Sequence, residues 1–573
     1  MAKAKQIIDE VRQKADDYDG KAGSFLASVA EWADDFRVKP GKRKARTFSN
    51  PKQTEFYRAA SANAILEYRM MTSADPYFEA RPISLGTSPQ EVRTLEQVWL
   101  TQHHWSGYRA NLLRACHFKP VFGTVLCQED YRIIGASPFG RRIPVTVMIP
   151  RVMDQVFFDR GATSFETNDC DFVGTGDVTS PAALKRLAAE AKETDAPWNA
   201  KALESAANDK ENTNTISQRV LERLRRAGYT DDEAFSKKKE LLMYYGKLDC
   251  MNDGIEYVVA LINRKHLVRF HANNFQHGRR GFRIAKHVDF TGALGDGIGS
   301  LFGHTHRGMD ANRQKAQDLG SFGAYNMWGR RKNSFVDEDA QIAPLQFIDM
   351  DSKDDMWPIT PSYQALEGIL KLDEILKMEF RAATNASDTL QAIVTDATAT
   401  ASALAQNEAM RAISVRAEQA SQALVREHLE NMHANNVQNI RAPFNINTAN
   451  GPKVVYPSDL MIDVDIRAKT TTDKDFQPKR LERMLQMLQV LTSTKSQHPD
   501  QLQISILPIV EAIAGMLDVN PSEVILPMGM GGMPQAPMMG AGDMLGMAGL
   551  TAPGAPVGGM GVTSTPVGPV LSA

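Results

Sequence analysis

The run PSYQALEGILKLDEILKMEFRAATNASDTLQAIVTDATATASALAQNEAMRAISVRAEQASQALVREHLENMHANNV, residues 361–437, carries two helical periodicities separated by a bland interval. In the first, from about Ser362 to Asn385, Leu366, Ile369, Leu370, Leu372, Ile375, Leu376, Met378 and Phe380 recur mostly at three-to-four spacing, which predicts one wide apolar face. Ser362, directly after Pro361, suits an N-cap. The second, from Ser402 to Val437, would be roughly 54 Å long at 1.5 Å per residue. Its apolar row, Met410, Ile413, Ala417, Ala420 and Leu424, is narrow and small, and Arg411, Arg416, Glu418, Arg426, Glu427 and Glu430 take the other faces. So thin a stripe predicts a helix that runs between neighbours, in a bundle or a ring of subunits, rather than one covering a compact core. Between the two helices, residues 386–401 lack Gly and Pro and carry only Asp388 and Asp396 as charges. They read as a weakly acidic loop joining two rods; one continuous helix, kinked by Thr side chains bonding back to the main chain, stays open.

Outward from this run, 573 residues suffice for several domains, and 43% hydrophobic with 23% charged residues is a globular composition. Lys and Arg total 66 against 68 Asp and Glu, so no global field draws in nucleic acid. Cys116, Cys127, Cys170 and Cys250 are widely spaced with no CxxC pair, which argues for reduced thiols in a cytosolic setting and against zinc. The N-terminus has no apolar signal core and no stretch is long and apolar enough to span a bilayer, so no membrane partner is expected.

Toward the N-terminus, residues 1–40 and 53–72 read as charged and amphipathic helices separated by the basic loop Pro40–Lys44, which reads either as a phosphate contact or as a solvated turn. An extended piece at 77–82 precedes an aromatic-rich helix over 89–118. Residues 121–134 and 142–159 read as strands, 181–235 as polar helix with an insertion-like centre at 208–214, and 239–249 with 255–270 as a hairpin around Asp253-Gly254. Residues 281–290 add a strand, GALGDGIGSLFG from Gly292 a hinge, and a helix follows to about Tyr325. The charged piece 327–361 then turns the chain back into the first helix of the opening run, an out-and-back stalk. Further on, 443–455 and 460–468 return to strand pattern, 476–491 and 501–517 to short helices, and the Met, Gly and Pro tail 527–573 has the composition of a disordered segment. The fold class expected is α+β.

Chemistry is sparse. No GxxxxGK[ST] loop and no GxSxG elbow occurs. Gly295, Gly297 and Gly299 follow a strand as in a dinucleotide turn, but the third glycine of GxGxxG is missing, so a plain hinge is the stronger reading. His304 and His306, two apart on a helix, point to different faces and are not expected to share a metal, and Asp349, Asp351, Asp354 and Asp355 lack the glycine and terminal glutamate of a calcium loop. No cofactor, metal or catalytic residue is therefore assigned. Arg330, Arg331 and Lys332, beside acidic residues at the stalk tip, suit docking to a partner; a solvated face remains open.

Several stretches resemble phage portal (head-to-tail connector) proteins: SNPKQTEFYRAASANAILEYRMMTSADPYFEARP from Ser49, YYGKLDCMNDGIEYVVALINRKHLVRF from Tyr244, the glycine-rich lead into a helix at Gly295, and TATAS at Thr398–Ser402. The last is similar to the family's Thr-Ala-Thr-Glu helix opening, with Ser402 where glutamate is usual. Together they order most of residues 49–526. The resemblance implies a non-enzymatic virion protein, assembled in the host cytoplasm, that forms a homo-oligomeric ring, usually of twelve, at one capsid vertex. Double-stranded DNA is packaged and ejected through it without sequence specificity. The implied parts are a mixed wing (1–296, and 401–470 with its long helix), stem helices (297–326 and 362–386), a small α/β clip (327–361), a channel loop (387–400) and a helical crown (471–526). Asp388, Thr395, Asp396, Thr398 and Thr400 would face the channel, and Arg330, Arg331 and Lys332 would dock the terminase large subunit and then a tail adaptor. Major capsid and scaffolding proteins are the remaining implied partners. The physics is compatible, because every fixed phosphate contact must be broken at each step of DNA movement, and a loop of Thr, Ala and Ser avoids such contacts. A cytosolic nucleotide-dependent enzyme using the Gly295–Gly299 turn, or another structural virion protein, are the alternatives.

Overall fold

The computed structural model describes residues 2–38, 52–74, 76–83, 87–135, 142–165, 169–193, 197–209, 220, 238–273, 280–289, 292–324, 327–330, 356–359, 363–384, 412–448 and 451–469. All of them fall in one unit, Met1–Asp475. The chain is α+β, as its patterns predict, and every strand pairing among the described residues is antiparallel.

Helix α1 (Ala2–Lys21) buries Ile7, Val11, Ala15 and Tyr18, one residue per turn, and α2 (Gly23–Phe36) buries Val29 and Trp32. Helix α3 (Glu55–Thr72) leads to β1 (Phe78–Pro82). The expected single helix over 89–118 is two. Helix α4 (Pro89–Ser106) starts at a Ser88–Glu91 capping box and stops at Gly107, whose φ of +65° an L side chain rarely adopts, and α5 (Tyr108–Phe122) continues in a new direction. A lone glycine inside a helical pattern gave little warning of that break.

Strand β2 (Thr124–Gly135) lies between β3 (Arg142–Arg151) and β9 (Phe282–Lys286). Its period of two divides the molecule. Leu126 faces a core built on α1, α2 and the larger sheet, while Val125 and Cys127 face a second core. The larger sheet has the order β4 (Val156–Phe158), β5 (Phe172–Thr179), β6 (Lys239–Lys247), β7 (Glu256–Ile262), β8 (His266–Ala272). It is covered by α6 (Pro181–Glu193) and α7 (Ala200–Asn208). Strand β5 has no counterpart among the sequence expectations because FVGTGDVT is glycine-rich and polar. Gly174 is needed there: a Cβ would lie 2.1 Å from the Phe157 ring on the adjacent strand. The strand expected over 255–270 is likewise two, turned by Asn263 and Arg264, both at positive φ. Arg264 is held in that conformation by Glu240 at 3.1 Å, Asp19 at 3.3 Å and Asp16.

Past the 298–384 region, helix α10 (412–439) crosses the second core, followed by the hairpin β12 (Phe444–Thr448) and β13 (Gly451–Val455), then β14 (Val464–Ala468), which pairs with β1. The thin stripe on α10 is covered by this chain itself. Ile413, Ala417, Leu424, Val425, Leu429 and Met432 are fully buried in a core shared with α4, α5 and the strands β3, β9 and β14 of the same chain, so the expectation that neighbouring subunits cover it is corrected for residues 412–439. Small side chains let α10 approach its neighbours closely; they did not mark an interface. At Gln422–Arg426 the helix widens to a π turn, and the Leu424 carbonyl accepts a hydrogen bond from the buried Tyr108 hydroxyl at 2.7 Å.

Buried charges hold these layers in register. Lys119 and Glu67 pair at 2.7 Å with neither side chain exposed, and Glu129 meets Arg283 at 3.0 Å and His428 at 2.6 Å. The four cysteines are free thiols, and burial pushes those of Cys116 and Cys127 up. No helix among the described residues is long and apolar enough to cross a membrane.

Candidate assembly surface

The segment that leaves the body begins at a glycine cluster. A bridge between Val288 and Asp296 closes the turn after β9, and Gly295 N–H donates to Thr124 Oγ1 at 2.7 Å. At Gly297 a Cβ would lie 2.4 Å from the backbone nitrogen of Gly123, and at Gly299 it would lie 2.5 Å from the Trp32 ring. The room these glycines leave is thus filled by the chain's own atoms, which is what close backbone packing at a hinge requires. A cleft of about 740 Å³ lies elsewhere, lined by Tyr131, Arg151, Arg186, Trp198 and Arg269 among others, and the Gly295–Gly299 turn is not part of its wall.

From the hinge rises α8 (Ile298–Ala324), and α9 (Tyr363–Ala383) returns packed against it. Between them β10 (Met327–Arg330) pairs antiparallel with β11 (Met356–Ile359), with Arg330 opposite Met356. Burial is concentrated where the two helices meet the body. Helix α8 buries Ile298, His306 and Met309, and α9 buries Phe380, whose ring lies 6.3 Å from that of Phe302 at 79°. Arg381 clamps Glu55 of α3 through two hydrogen bonds of 2.9 Å. Burial would raise the Glu55 carboxyl, but that guanidinium outweighs it and holds the group below its ordinary value. The Asn63 amide donates to the Thr384 carbonyl at 2.9 Å, securing the end of the returning chain.

Away from that root α9 is open. Of the wide apolar face read from its sequence, the side toward Leu376 and Phe380 is covered and the opposite side is not. Leu370, Leu372, Ile375 and Met378 are 40%, 48%, 47% and 64% exposed, and Trp357 on β11 is 48% exposed. Glu367, Glu374 and Glu379 stand exposed on the same helix, with Lys371 bound to Glu367 at 2.7 Å. The exposed side chains of α8 differ in kind and include His304, Arg307, Arg313 and Lys315 beside Leu301. The exposed charges of α9 are thus mostly acidic, among apolar groups, and those of α8 are basic.

Of the residues singled out from the sequence, Arg330 sits at the end of β10, while Arg331, Lys332, Asp388, Thr395, Asp396, Thr398 and Thr400 lie outside the described residues, as do the crown and the tail. His304 is exposed and His306 is buried, on different faces as expected. The side chains that lie near His306 were not anticipated. Asp310 follows it by one helical turn, a spacing visible in the sequence, but Asp35 comes from α2, which no local pattern could bring there. No protein-family model matches the chain, and none of the curated proteins searched matches it.

Proposed function

We propose that this chain is a portal-type ring subunit. Identical copies surround an axial opening for double-stranded DNA, the 387–400 segment faces that opening, and the 327–361 segment, with Arg330, Arg331 and Lys332, docks the terminase large subunit and later a tail adaptor. The observation that carries the reading is the bare outer arc of α9. Four large apolar side chains exposed on one helix are costly to leave in water, at about 25 cal/mol per Å² of apolar surface, and exposed apolar groups of this size gathered on one element mark contact surfaces. The two faces of the α8–α9 pair differ, so a contact between copies that joins Leu370, Ile375 and Glu374 of one to Lys315 of the next is head-to-tail. Repeated with a closing rotation, such contacts make a ring. The near-neutral net charge of −2 adds no general hold on DNA.

Light scattering and negative-stain images of the purified full chain test this. Closed rings are expected, and Ile375→Asp with Met378→Asp should yield monomers whose far-UV circular dichroism is unchanged. Monomers from the unaltered chain at high concentration and all salt levels, or rings that survive the double substitution, would overturn the proposal.

A further inference from the structure

Where α2 meets the root of α8, three metal-ligating side chains converge. One oxygen each of Asp35 and Asp310 and one ring nitrogen of His306 lie within 4.8 Å of one another. His306 Nε2 is 3.9 Å from Asp310 Oδ2, one helical turn away. His306 is fully buried between the Phe56 and Phe380 rings, and neither ring nitrogen has a hydrogen bond. A buried imidazole left without a partner is costly, and here it is aimed at two carboxylates. Burial favours its neutral form, the form that offers a lone pair.

The Lys52 ammonium stands among these groups, 2.9 Å from Asp35 Oδ1 and 2.9 Å from Asp310 Oδ2. Both contacts are close ion pairs, and Asp310 Oδ1 accepts from the Gln53 N–H at 2.8 Å. Two carboxylates and one ammonium leave a net charge of −1 in a largely buried place. A divalent cation with Lys52 turned outward would leave none. The Lys52 side chain is 18% exposed, so it has a path to solvent.

We propose that Asp35, His306 and Asp310 bind a divalent cation of the zinc and cobalt class, and that Lys52 occupies the cation's place until the metal displaces it. One imidazole and two carboxylates suit such borderline ions, with a water completing a tetrahedron. Ligand atoms of a tetrahedral site lie about 3.4 Å apart, so the 3.9 Å His306–Asp310 separation closes with a small side-chain adjustment. The Gln53 N–H on Asp310 is the outer bond that orients a ligating carboxylate. The metal would fasten α2 to the base of the α8–α9 pair, and this does not depend on how copies assemble.

The test uses the full chain, stripped with a chelator and titrated with cobalt(II). One equivalent per chain should give the visible absorption of a tetrahedral site. Lys52→Met removes the competitor and should tighten binding roughly tenfold, and His306→Gln should abolish the bands. No bands in either the unaltered chain or Lys52→Met, or equal bands in His306→Gln, would overturn the assignment. Should His306→Gln fail to fold, copper(II) resonance spectra of the unaltered chain replace it: coupling to one imidazole nitrogen supports the site, and none refutes it.

Discussion

Helix α9 hangs from the body by a short root, and Phe380 is its centre. The ring is 1% exposed, lies 6.3 Å from Phe302 and 6.1 Å from His306, and is the only fully buried apolar side chain among the described residues of α9. Phe380→Ala therefore removes most of what apolar packing gives the helix. Truncating a buried Phe costs about 3–5 kcal/mol, part of it lost transfer energy and part the cavity left behind. The Glu55 clamp and the Thr384 carbonyl contact would remain, so the loss is local. Because each 1.4 kcal/mol is a tenfold change in an opening equilibrium, amide exchange across residues 364–380 should quicken by a factor of roughly 10² to 4 × 10³. Exchange in β5, β6 and β7 should not change. The assay is hydrogen–deuterium exchange with mass spectrometry on dilute, unassembled protein, where no neighbour protects the helix. Unchanged exchange in α9, or an equal rise throughout the large sheet, would refute the view that α9 is independently rooted.

Three further outcomes follow from the same geometry. Glu67→Gln leaves the Lys119 ammonium buried without a counter-charge and should cost about 3–5 kcal/mol in chemical denaturation, whereas Glu67→Leu with Lys119→Met should recover most of it; equal losses would argue against a paired charge. Burial would raise the Glu10 carboxyl, but hydrogen bonds from Lys14 and from the Cys250 and Asp249 N–H groups outweigh it and bring it from 4.5 to about 2. That depressed value stabilises the docking of α1 in full above about pH 4.5, and the contribution is lost as pH falls toward 2; Glu10→Gln should flatten this dependence of α1 exchange on pH. Asp388→Lys with Asp396→Lys should leave assembly intact and slow DNA packaging, with relief as salt rises, and equal packaging at every salt concentration would argue that the loop does not face DNA.

The sequence made the class and most elements legible wherever the signal is local. Short alternating or apolar runs marked β2 and β3, the Asp253-Gly254 turn marked the hairpin that begins with β6, and three-to-four spacing marked α3 and α9. Reading failed where a long-range contact overrides the local pattern. Strand β5 tolerates Gly174 only because Phe157 lies across it, and Gly107 ends α4 because the chain must turn there at positive φ. The thin stripe read on α10 is wider in the fold, extending to Val425, Leu429 and Met432 with the buried His428, Asn431 and Asn435, and the elements that cover it include α4 and α5, some three hundred residues earlier. The buried pairs are of the same kind: Glu129 and His428 are 299 residues apart. The face of α9 shows the converse, since composition alone marks it as apolar and only the folded chain shows which half stays uncovered.

Cryo-electron microscopy of the purified full chain tests the central claim most directly. The account predicts closed rings, about 760 kDa for twelve copies of 63.3 kDa, with α9 of each subunit against α8 of the next and the 387–400 segment nearest the axis. Particles that remain single chains, or rings in which Leu370, Ile375 and Met378 face bulk solvent and another part of the chain lines the opening, would contradict it.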